Sequence, residues 1–210
     1  LKDIMGTNLI ISNELKPLIT EIVEQKRIDC LVTLGWRRIL DLKDFEKVGL
    51  MVNVHPALLP EYKGYHPVPY VILNEEKVHG ITAHLINEEV DAGDIIQKES
   101  FPINTFSTLR SVQYEVNKRM PEFLRKLFDK IIEGNIDYSP NMDANTIINA
   151  PIRTHKDSEV YLNEPLEEVF KKVKASDPKR FPVYFVYNGE KVYIKMYRDK
   201  EVKRKSKYDI

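Results

Sequence analysis

Two short patches of the sequence carry side chains suited to acyl-group chemistry. The first holds Asn53 and His55 at the end of an apolar run, and the second is an acidic turn with Asp91 and Asp94. An amide can hold a carbonyl oxygen as it becomes negative, an imidazole can move a proton, and a carboxylate can orient that imidazole. Together these groups predict an acyl-transfer enzyme, in which either aspartate could pair with His55.

A strand predicted over residues 50–54 must position the first patch. Side chains alternate along a strand with period two, so Asn53 and His55 project from the same face at its C-terminal end. Open α/β sheets bind ligands at that edge. Either residue alone would have a structural interpretation, with Asn53 capping a turn and His55 as a core imidazole. The proline-rich loop and the acidic turn that follow favour the functional interpretation.

Hydrophobic patterns predict an α/β fold around these patches. Short continuous apolar runs are typical of buried strands, and apolar residues at helical spacing are typical of amphipathic helices. The predicted strands are 8–12, 29–34, 50–54, 80–86 and 95–103, and the predicted helices are 13–26, 68–75, 109–132 and 166–175. Continuous apolar runs favour a mostly parallel sheet that is buried on both faces.

The composition predicts a larger domain followed by a small C-terminal lobe. We predict a catalytic domain over residues 1–137, a polar linker over 138–158 and a β-containing α+β lobe over 159–210. In the lobe, Asn188-Gly189 separates two alternating apolar runs, a pattern typical of a hairpin. The chain opens at Leu1 without the first buried strand of an α/β enzyme, so we expect an N-terminal segment to be absent from this sequence.

Charge and hydropathy disfavour several kinds of partner. The 210 residues include 32 basic and 32 acidic side chains, whereas proteins that bind nucleic-acid phosphates usually carry a basic excess. The basic cluster at 198–207 is interpreted as a solvated tail. No apolar run approaches the length of a membrane span, so we expect no membrane partner. The single cysteine, Cys30, fits a reducing cytoplasmic location.

The other histidines carry less information. His84 lies on a predicted strand, where a structural role and a ligand contact are equally consistent with its position. His55, His84 and Asp91 could together hold a metal ion, but they match no close-spaced ligand pattern, so we predict no metal site. We assign no role to His66, His79 and His155.

Taken together, the patches resemble the folate-dependent formyltransferase family. The residues that carry the resemblance are 53–60, Gly64, 80–84 and 91–96, with a seven-residue step from His84 to Asp91. Residues 35–40 look like the segment that cradles the pterin ring through backbone groups. The likeness is firm over residues 28–104, and it implies a Rossmann-like formyltransferase domain.

The resemblance implies 10-formyltetrahydrofolate as formyl donor and a primary amine as acceptor. It also implies a catalytic trio of Asn53, His55 and Asp91, which leaves Asp94 to the turn. Asn53 would bond the formyl oxygen, His55 would share that task or take the amine proton, and Asp91 would fix the imidazole. The donor-binding residues that it implies are Arg38, Ile39, Leu40, Ile86 and Asn87.

Branches of this family differ in the acceptor. Glycinamide ribonucleotide formyltransferases usually lack a C-terminal lobe, and methionyl-tRNA formyltransferases usually have a larger one with a basic surface. Sugar-nucleotide N-formyltransferases pair the catalytic domain with a small β element and often have a histidine at the position of His84. We therefore expect a nucleotide-linked amino sugar as acceptor. The alternatives are tRNA as acceptor, or a non-catalytic folate- or nucleotide-binding module. The tyrosine-rich hairpin would suit a homodimer contact.

Overall fold

A four-stranded sheet forms the centre of the fold. The computed structural model describes residues 28–142 and 149–197. In order across the sheet, the strands are β1 (Ile28–Leu34), β2 (Val48–His55), β4 (Val78–Leu85) and β5 (Ile95–Pro102). The predicted strand 8–12, the predicted helix 13–26 and the basic cluster 198–207 lie outside the described residues.

This sheet is mixed, so the expectation of a mostly parallel sheet does not hold for the described strands. β1 and β2 pair in parallel, whereas the pairings of β2 with β4 and of β4 with β5 are antiparallel. The segment 86–94 joins β4 to β5, and a parallel pair needs a crossover of about a dozen residues or more. The apolar runs therefore did not determine the direction of the strands, and β1 has only half-buried and exposed residues within the described part of the chain.

Helices and short pairings complete the described part of the chain. The helices are α1 (Pro67–Leu73), α2 (Leu109–Glu133) and α3 (Leu166–Ala175). β3 (Lys63–Gly64) pairs in parallel with β6 (Asn149–Ala150), and β7 (Tyr184–Tyr187) forms an antiparallel hairpin with β8 (Glu190–Tyr193). Two short 3-10 turns span Leu42–Phe45 and His155–Ser158. The hairpin and the helices predicted in these ranges are confirmed, with small shifts of their ends.

Helix α2 shows how local sequence fixes the ends of an element. Thr108 and Ser111 form a capping box at its start, in which each side chain accepts the backbone N–H of the other. Gly134 ends the helix with φ 66°, a left-handed conformation in which a residue without Cβ has no steric penalty. The helix continues through Pro121. Within the described residues, no helix has the combined length and apolarity needed to cross a bilayer.

The main hydrophobic core lies between the sheet and helices α1 and α2. Val52, Val54 and Ile81 contribute to it from the strands, and Phe123 and Leu127 contribute from α2, all of them fully buried. Burying one such side chain stabilises the fold by roughly 1.5–3 kcal/mol. This core holds rigid the strands whose ends carry the polar patches.

The C-terminal residues form a smaller core and also pack on the larger one. Val160, Val169 and Val183 are buried together beside α3. Ala175, at the end of α3, belongs to the main core, and α3 contacts α1. The region predicted as a lobe therefore lies directly against the elements that surround the site.

Candidate active site

The register of the sheet brings three polar side chains into one row. Thr33 on β1 pairs with Asn53 on β2, and Asn53 pairs with His84 on β4. Side chains at paired positions of adjacent strands project from the same face, so these three are neighbours. His55 lies two residues beyond Asn53 and extends this face toward the C-terminal end of β2.

Asp91 reaches this row from the acidic turn after β4. Its Oδ1 accepts a hydrogen bond from Asn53 Nδ2 at 3.1 Å, and its Oδ2 lies 3.3 Å from His55 Nδ1. Gly64 of β3 donates its backbone N–H to the same Oδ2 at 2.9 Å. The Asp91 side chain is 9% exposed. The structure thus brings the amide, the imidazole and the carboxylate together around one carboxyl group.

Close packing of the acidic turn holds Asp91 in place. Asp91 itself has φ 51°, a conformation that aspartate tolerates better than most residues. Gly93 packs so tightly on the end of β4 that a Cβ there would lie 2.1 Å from the Leu85 carbonyl oxygen. Asn141 Nδ2 donates to the carbonyl oxygens of Asp91 at 2.9 Å and of Gly93 at 3.0 Å. Asn141 lies in the predicted linker, and no local sequence signal indicated this contact.

Asp94 lies apart from the network. It is exposed, and its carbonyl oxygen accepts the Leu85 N–H at 2.8 Å, so it closes the turn after β4. Of the two aspartates left open by the sequence, Asp91 is therefore the one that contacts His55.

His84 is a buried acceptor for the Asn53 amide. Its Nδ1 lies 2.7 Å from the Leu85 carbonyl oxygen, which can only accept, so Nδ1 carries the hydrogen. Nε2 then accepts from Asn53 Nδ2 at 3.1 Å. His84 is 2% exposed. The other Asn53 N–H donates to Asp91, so both amide hydrogens are used within the protein.

Thr33 sets the orientation of the Asn53 amide. Its Oγ1 donates to Asn53 Oδ1 at 2.8 Å. Because the amide oxygen is held toward β1, the amide nitrogen faces His84 and Asp91. Thr33 has no distinguishing signal in the sequence, since a threonine in an apolar strand is ordinary and only the pairing of β1 with β2 gives it this contact.

His55 uses both ring nitrogens within the protein. Nε2 donates to the Tyr62 carbonyl oxygen at 2.9 Å, so Nδ1 can bond Asp91 only when a proton lies between them. Burial lowers the pKa of His55, and the charge of Asp91 opposes that shift. Burial alone would raise the pKa of Asp91, but the neighbouring His84 side chain, the charge of His55 and the Gly64 N–H together lower it. The surroundings of Asp91 therefore favour its ionised form.

This network lies on the wall of a cavity of about 1130 Å³. Typical small-molecule sites occupy roughly 300–1,000 Å³, so the cavity has room for two ligands side by side. All five residues predicted to contact the donor line it: Arg38, Ile39, Leu40, Ile86 and Asn87. Across residues 28–142 and 149–197, no three potential ligand side chains are grouped to hold a metal ion.

The loop after β1 presents unused hydrogen-bonding groups to the cavity. Trp36 Nε1 is buried and has no partner within the described residues. In the same part of the structure, residues 36–40 make no hydrogen bond to other backbone groups. A flat heterocycle with donors and acceptors along its edge would satisfy such a wall.

Fold and site together define an α/β protein of the formyltransferase class. Residues 6–127 match the family described as formyl transferase, and the chain belongs to that family. A methionyl-tRNA formyltransferase from Kosmotoga olearia is 32% identical over 164 residues, which cover 76% of this chain and 51% of the relative. The chain spans about half the length of the curated relatives it matches.

Solved structures share the fold. A 4-N formyltransferase from Francisella tularensis matches with a TM-score of 0.74 at 23% identity, covering 89% of this chain and 77% of that chain. WlaRD, a sugar 3N-formyl transferase solved in the presence of dTDP and 5-N-formyl-THF, matches with a TM-score of 0.64 at 23% identity, covering 77% and 58%. At these identities the likeness establishes the fold.

Proposed function

We propose that this chain transfers the formyl group of 10-formyltetrahydrofolate to a primary amine of an amino-sugar nucleotide. One observation carries the proposal: Asp91 contacts Asn53 at 3.1 Å and His55 at 3.3 Å on the wall of a cavity with room for donor and acceptor. Membership of the formyl transferase family supports the reaction class.

The loop after β1 and the start of the acidic turn are the proposed donor site. The unpaired Trp36 Nε1 and the unused backbone groups of residues 36–40 suit the edge of a pterin ring, and Ile86 and Asn87 line the same cavity. When bound, the donor supplies a one-carbon unit at the formyl level. A sugar formyltransferase of the same fold was solved in the presence of 5-N-formyl-THF, which supports this assignment.

Asn53 and Asp91 divide the proposed chemistry. A bond forms between the amine nitrogen and the formyl carbon, and the bond from that carbon to N10 of the donor breaks. Asn53 Nδ2 donates to the formyl oxygen as negative charge develops there, a contact worth roughly 3–4 kcal/mol in comparable sites. Asp91 accepts the proton that the amine loses, and a proton returned to N10 balances the reaction.

His55 acts through Asp91 in this proposal. The Tyr62 carbonyl holds Nε2 and the carboxylate faces Nδ1, so the ring positions Asp91 and bonds it when a proton lies between them. The family resemblance implies that His55 bonds the formyl oxygen or takes the amine proton directly. Either role would require the ring to leave one of these two partners.

Charge supports a small acceptor. The sequence has no basic excess, with 32 basic and 32 acidic side chains, and a tRNA-binding protein needs a cationic surface. The 32% identity to a methionyl-tRNA formyltransferase favours tRNA as the second candidate.

We also propose a cytoplasmic location, and a catalytic region up to residue 137 followed by a C-terminal lobe over 159–210.

A direct assay tests the reaction and the acceptor together. The 210-residue chain is mixed with 10-formyltetrahydrofolate and either amino-sugar nucleotides or methionyl initiator tRNA, and release of tetrahydrofolate is followed. We expect release with at least one amino-sugar nucleotide and none with the tRNA. Release of tetrahydrofolate with the tRNA alone would identify tRNA as the acceptor and refute the amino-sugar proposal. Saturable folate binding without release on any amine would indicate a binding module.

Replacing the proposed oxyanion donor tests the mechanism. Asn53→Ala should lower kcat by about 100- to 1,000-fold with little change in folate affinity, because the contact strengthens only as charge develops. Steady-state kinetics and a folate titration measure the two effects. Asn135→Ala, at an exposed position after α2, is the matched control and should behave as the unmodified chain does. A near-normal kcat in Asn53→Ala would remove this role.

A further inference from the structure

We propose that one end of the cavity binds a phosphate or diphosphate group of the acceptor. The residues that form this anion site are His66 and an arginine cluster made of Arg37, Arg153 and Arg180, all of which line the cavity. Only the assignment of the anion to the acceptor rests on the proposed function. The site itself follows from how the three arginines are held.

Arg153 is buried beside His66 without a carboxylate partner. Its backbone N–H donates to His66 Nδ1 at 2.9 Å, and a guanidinium nitrogen donates to the Asp157 carbonyl oxygen at 2.8 Å. The residue is only 5% exposed. Burial lowers the pKa of Arg153, and the charge of Asp157 opposes that shift. Buried charges are normally paired, so an anionic ligand would complete this environment.

Arg37 approaches the same histidine from the loop after β1. Its guanidinium carbon lies 5.4 Å from the centroid of the Tyr65 ring, and the Tyr65 ring meets the His66 ring edge-to-face at 4.8 Å. An aromatic face attracts the guanidinium without cancelling its charge. Arg37 therefore keeps a full positive charge to offer to a ligand.

Arg180 approaches from the segment after α3. Its backbone N–H donates to Asp177 Oδ1 at 3.2 Å, which fixes the chain at this point while the side chain stays exposed. Burial is the main cause that lowers the pKa of His66, and the positive charges of Arg37, Arg153 and Arg180 lower it further. The three arginines therefore line the same cavity as His66 and lie close enough for their charges to reach its ring.

Nearby carboxylates are engaged elsewhere. Asp177 pairs with Arg110 at 3.5 Å. Asp157 accepts hydrogen bonds from the Thr154 backbone N–H at 2.5 Å and from the Thr154 hydroxyl at 2.9 Å. In the part of the chain that the structure describes, no member of the arginine cluster forms an ion pair with a carboxylate. The charge of Asp157 offsets part of the charge of Arg153, and the three guanidinium groups together carry more positive charge than this one carboxylate can balance.

Several guanidinium groups near one imidazole in a cavity suit a phosphate better than a single carboxylate. Each fork can bond two oxygens of a phosphate, and a diphosphate offers enough oxygens and charge for three forks. His66 adds a donor, because its Nδ1 accepts from Arg153 and the neutral ring then carries its hydrogen on Nε2.

The anion site and the Asp91 carboxylate are linked by a short segment of backbone, from Gly64 to His66. Gly64 contacts the Asp91 carboxylate, and His66 follows Gly64 by two residues. An extended chain advances about 3.3–3.6 Å per residue, so the Gly64 and His66 Cα atoms are at most about 7 Å apart. The anion site and the proposed chemistry therefore lie along one short segment of the cavity wall, so a single acceptor molecule could contact both.

Binding of inorganic pyrophosphate tests the site without folate or an amine. Calorimetry is performed on the 210-residue chain and on the exposed-position variants Arg37→Gln and Arg180→Gln. We expect each variant to weaken pyrophosphate binding by about 10- to 100-fold, the effect of losing one or two charge-assisted hydrogen bonds. Arg125→Gln removes an exposed arginine outside the cavity and is the matched control, with binding unchanged.

Two results would overturn the site. One is unchanged pyrophosphate binding in both cluster variants. The other is an equal weakening of pyrophosphate binding in Arg125→Gln, which would indicate that the anion responds to the overall electrostatic field of the protein and not to a local site. Loss of 5-formyltetrahydrofolate affinity in the cluster variants, with pyrophosphate binding intact, would instead assign the arginines to the donor's carboxylates and refute the proposal. Kinetics then assign the anion: KM for an amino-sugar nucleotide should rise in both cluster variants.

The two proposals fail in different ways. If pyrophosphate binding depends on the cluster but no amine is ever formylated, the anion site stands and the proposed function fails. If an amine is formylated and the cluster variants alter neither pyrophosphate binding nor the acceptor KM, the function stands and the anion site fails. Turnover of tRNA alone would refute the assignment to a small acceptor.

Discussion

At the scale of single residues, the Asn53 amide shows what the proposed reaction must displace. Both of its hydrogens already bond within the protein, to His84 Nε2 and to Asp91 Oδ1. A bond to a charged carboxylate is roughly twice as strong as a neutral one, so an incoming formyl oxygen should take the hydrogen now given to His84. Asn53 would then keep its contact with Asp91 during the reaction.

Thr33 should matter for turnover through the orientation of this amide. Thr33→Val keeps the shape and removes the hydroxyl that bonds Asn53 Oδ1, so kcat should fall by about 3- to 10-fold while KM for the folate stays the same. Thr33→Ser restores the donor and should recover most of the rate. Equal losses in both variants would show that packing, and not the hydrogen bond, is what Thr33 contributes.

His55 should titrate below the ordinary histidine value of 6.5, because burial outweighs the charge of Asp91. A pH series of imidazole ¹⁵N chemical shifts measures this pKa directly. Asp91→Asn removes the opposing charge, so in that variant the pKa of His55 should fall further. A His55 pKa above 6.5, or a higher His55 pKa in Asp91→Asn, would show that burial does not outweigh the charge of Asp91.

At the scale of elements, the acidic turn depends on one close approach. Gly93 packs on the end of β4, and the atom that a Cβ would meet at 2.1 Å is the Leu85 carbonyl oxygen, part of the backbone. Asn141 binds the same turn from its other side through two carbonyl groups. Together these contacts place Asp91 against β2, so the turn and the strand operate as one unit.

Gly93→Ala should therefore disturb the site as well as stability. We expect a loss of about 1–3 kcal/mol in the free energy of unfolding, together with a fall in kcat, because the turn that holds Asp91 must move. Urea denaturation and steady-state kinetics measure the two effects. Gly134→Ala is the control: its φ of 66° should cost about 1–2 kcal/mol at the end of α2, while kcat stays normal.

At the scale of the whole molecule, three histidines couple folding to pH. Burial lowers the pKa of His55, of His66 and of His79, and for His79 the value is about 4. His79 is 1% exposed, its Nε2 has no partner within the described residues, and its ring packs edge-on against Phe101. These rings are held neutral by the fold and gain protons more readily when the chain unfolds.

Stability should therefore fall as the pH drops from about 6.5 toward 4. In that window the unfolded chain binds more protons than the folded one, so the free energy of unfolding rises with pH. His79 alone contributes about 3 kcal/mol to this change, from the difference between 6.5 and about 4. Urea denaturation at pH 7 and pH 5 measures the slope, which should be smaller in His79→Phe. An equal slope in that variant would refute the assignment to His79.

The sequence determined the elements and the residue types of the site, because these depend on neighbours along the chain. Period-two alternation placed Asn53 and His55 on one face of a strand, and a glycine-containing acidic turn supplied Asp91. Only the tertiary structure decided the mixed strand order and which groups hold these side chains. Thr33 contacts Asn53 across 20 residues, Asn141 contacts Asp91 across 50, and Arg153 contacts His66 across 87. Contacts at such separations follow from strand pairing and packing, which leave no periodic signal in the sequence.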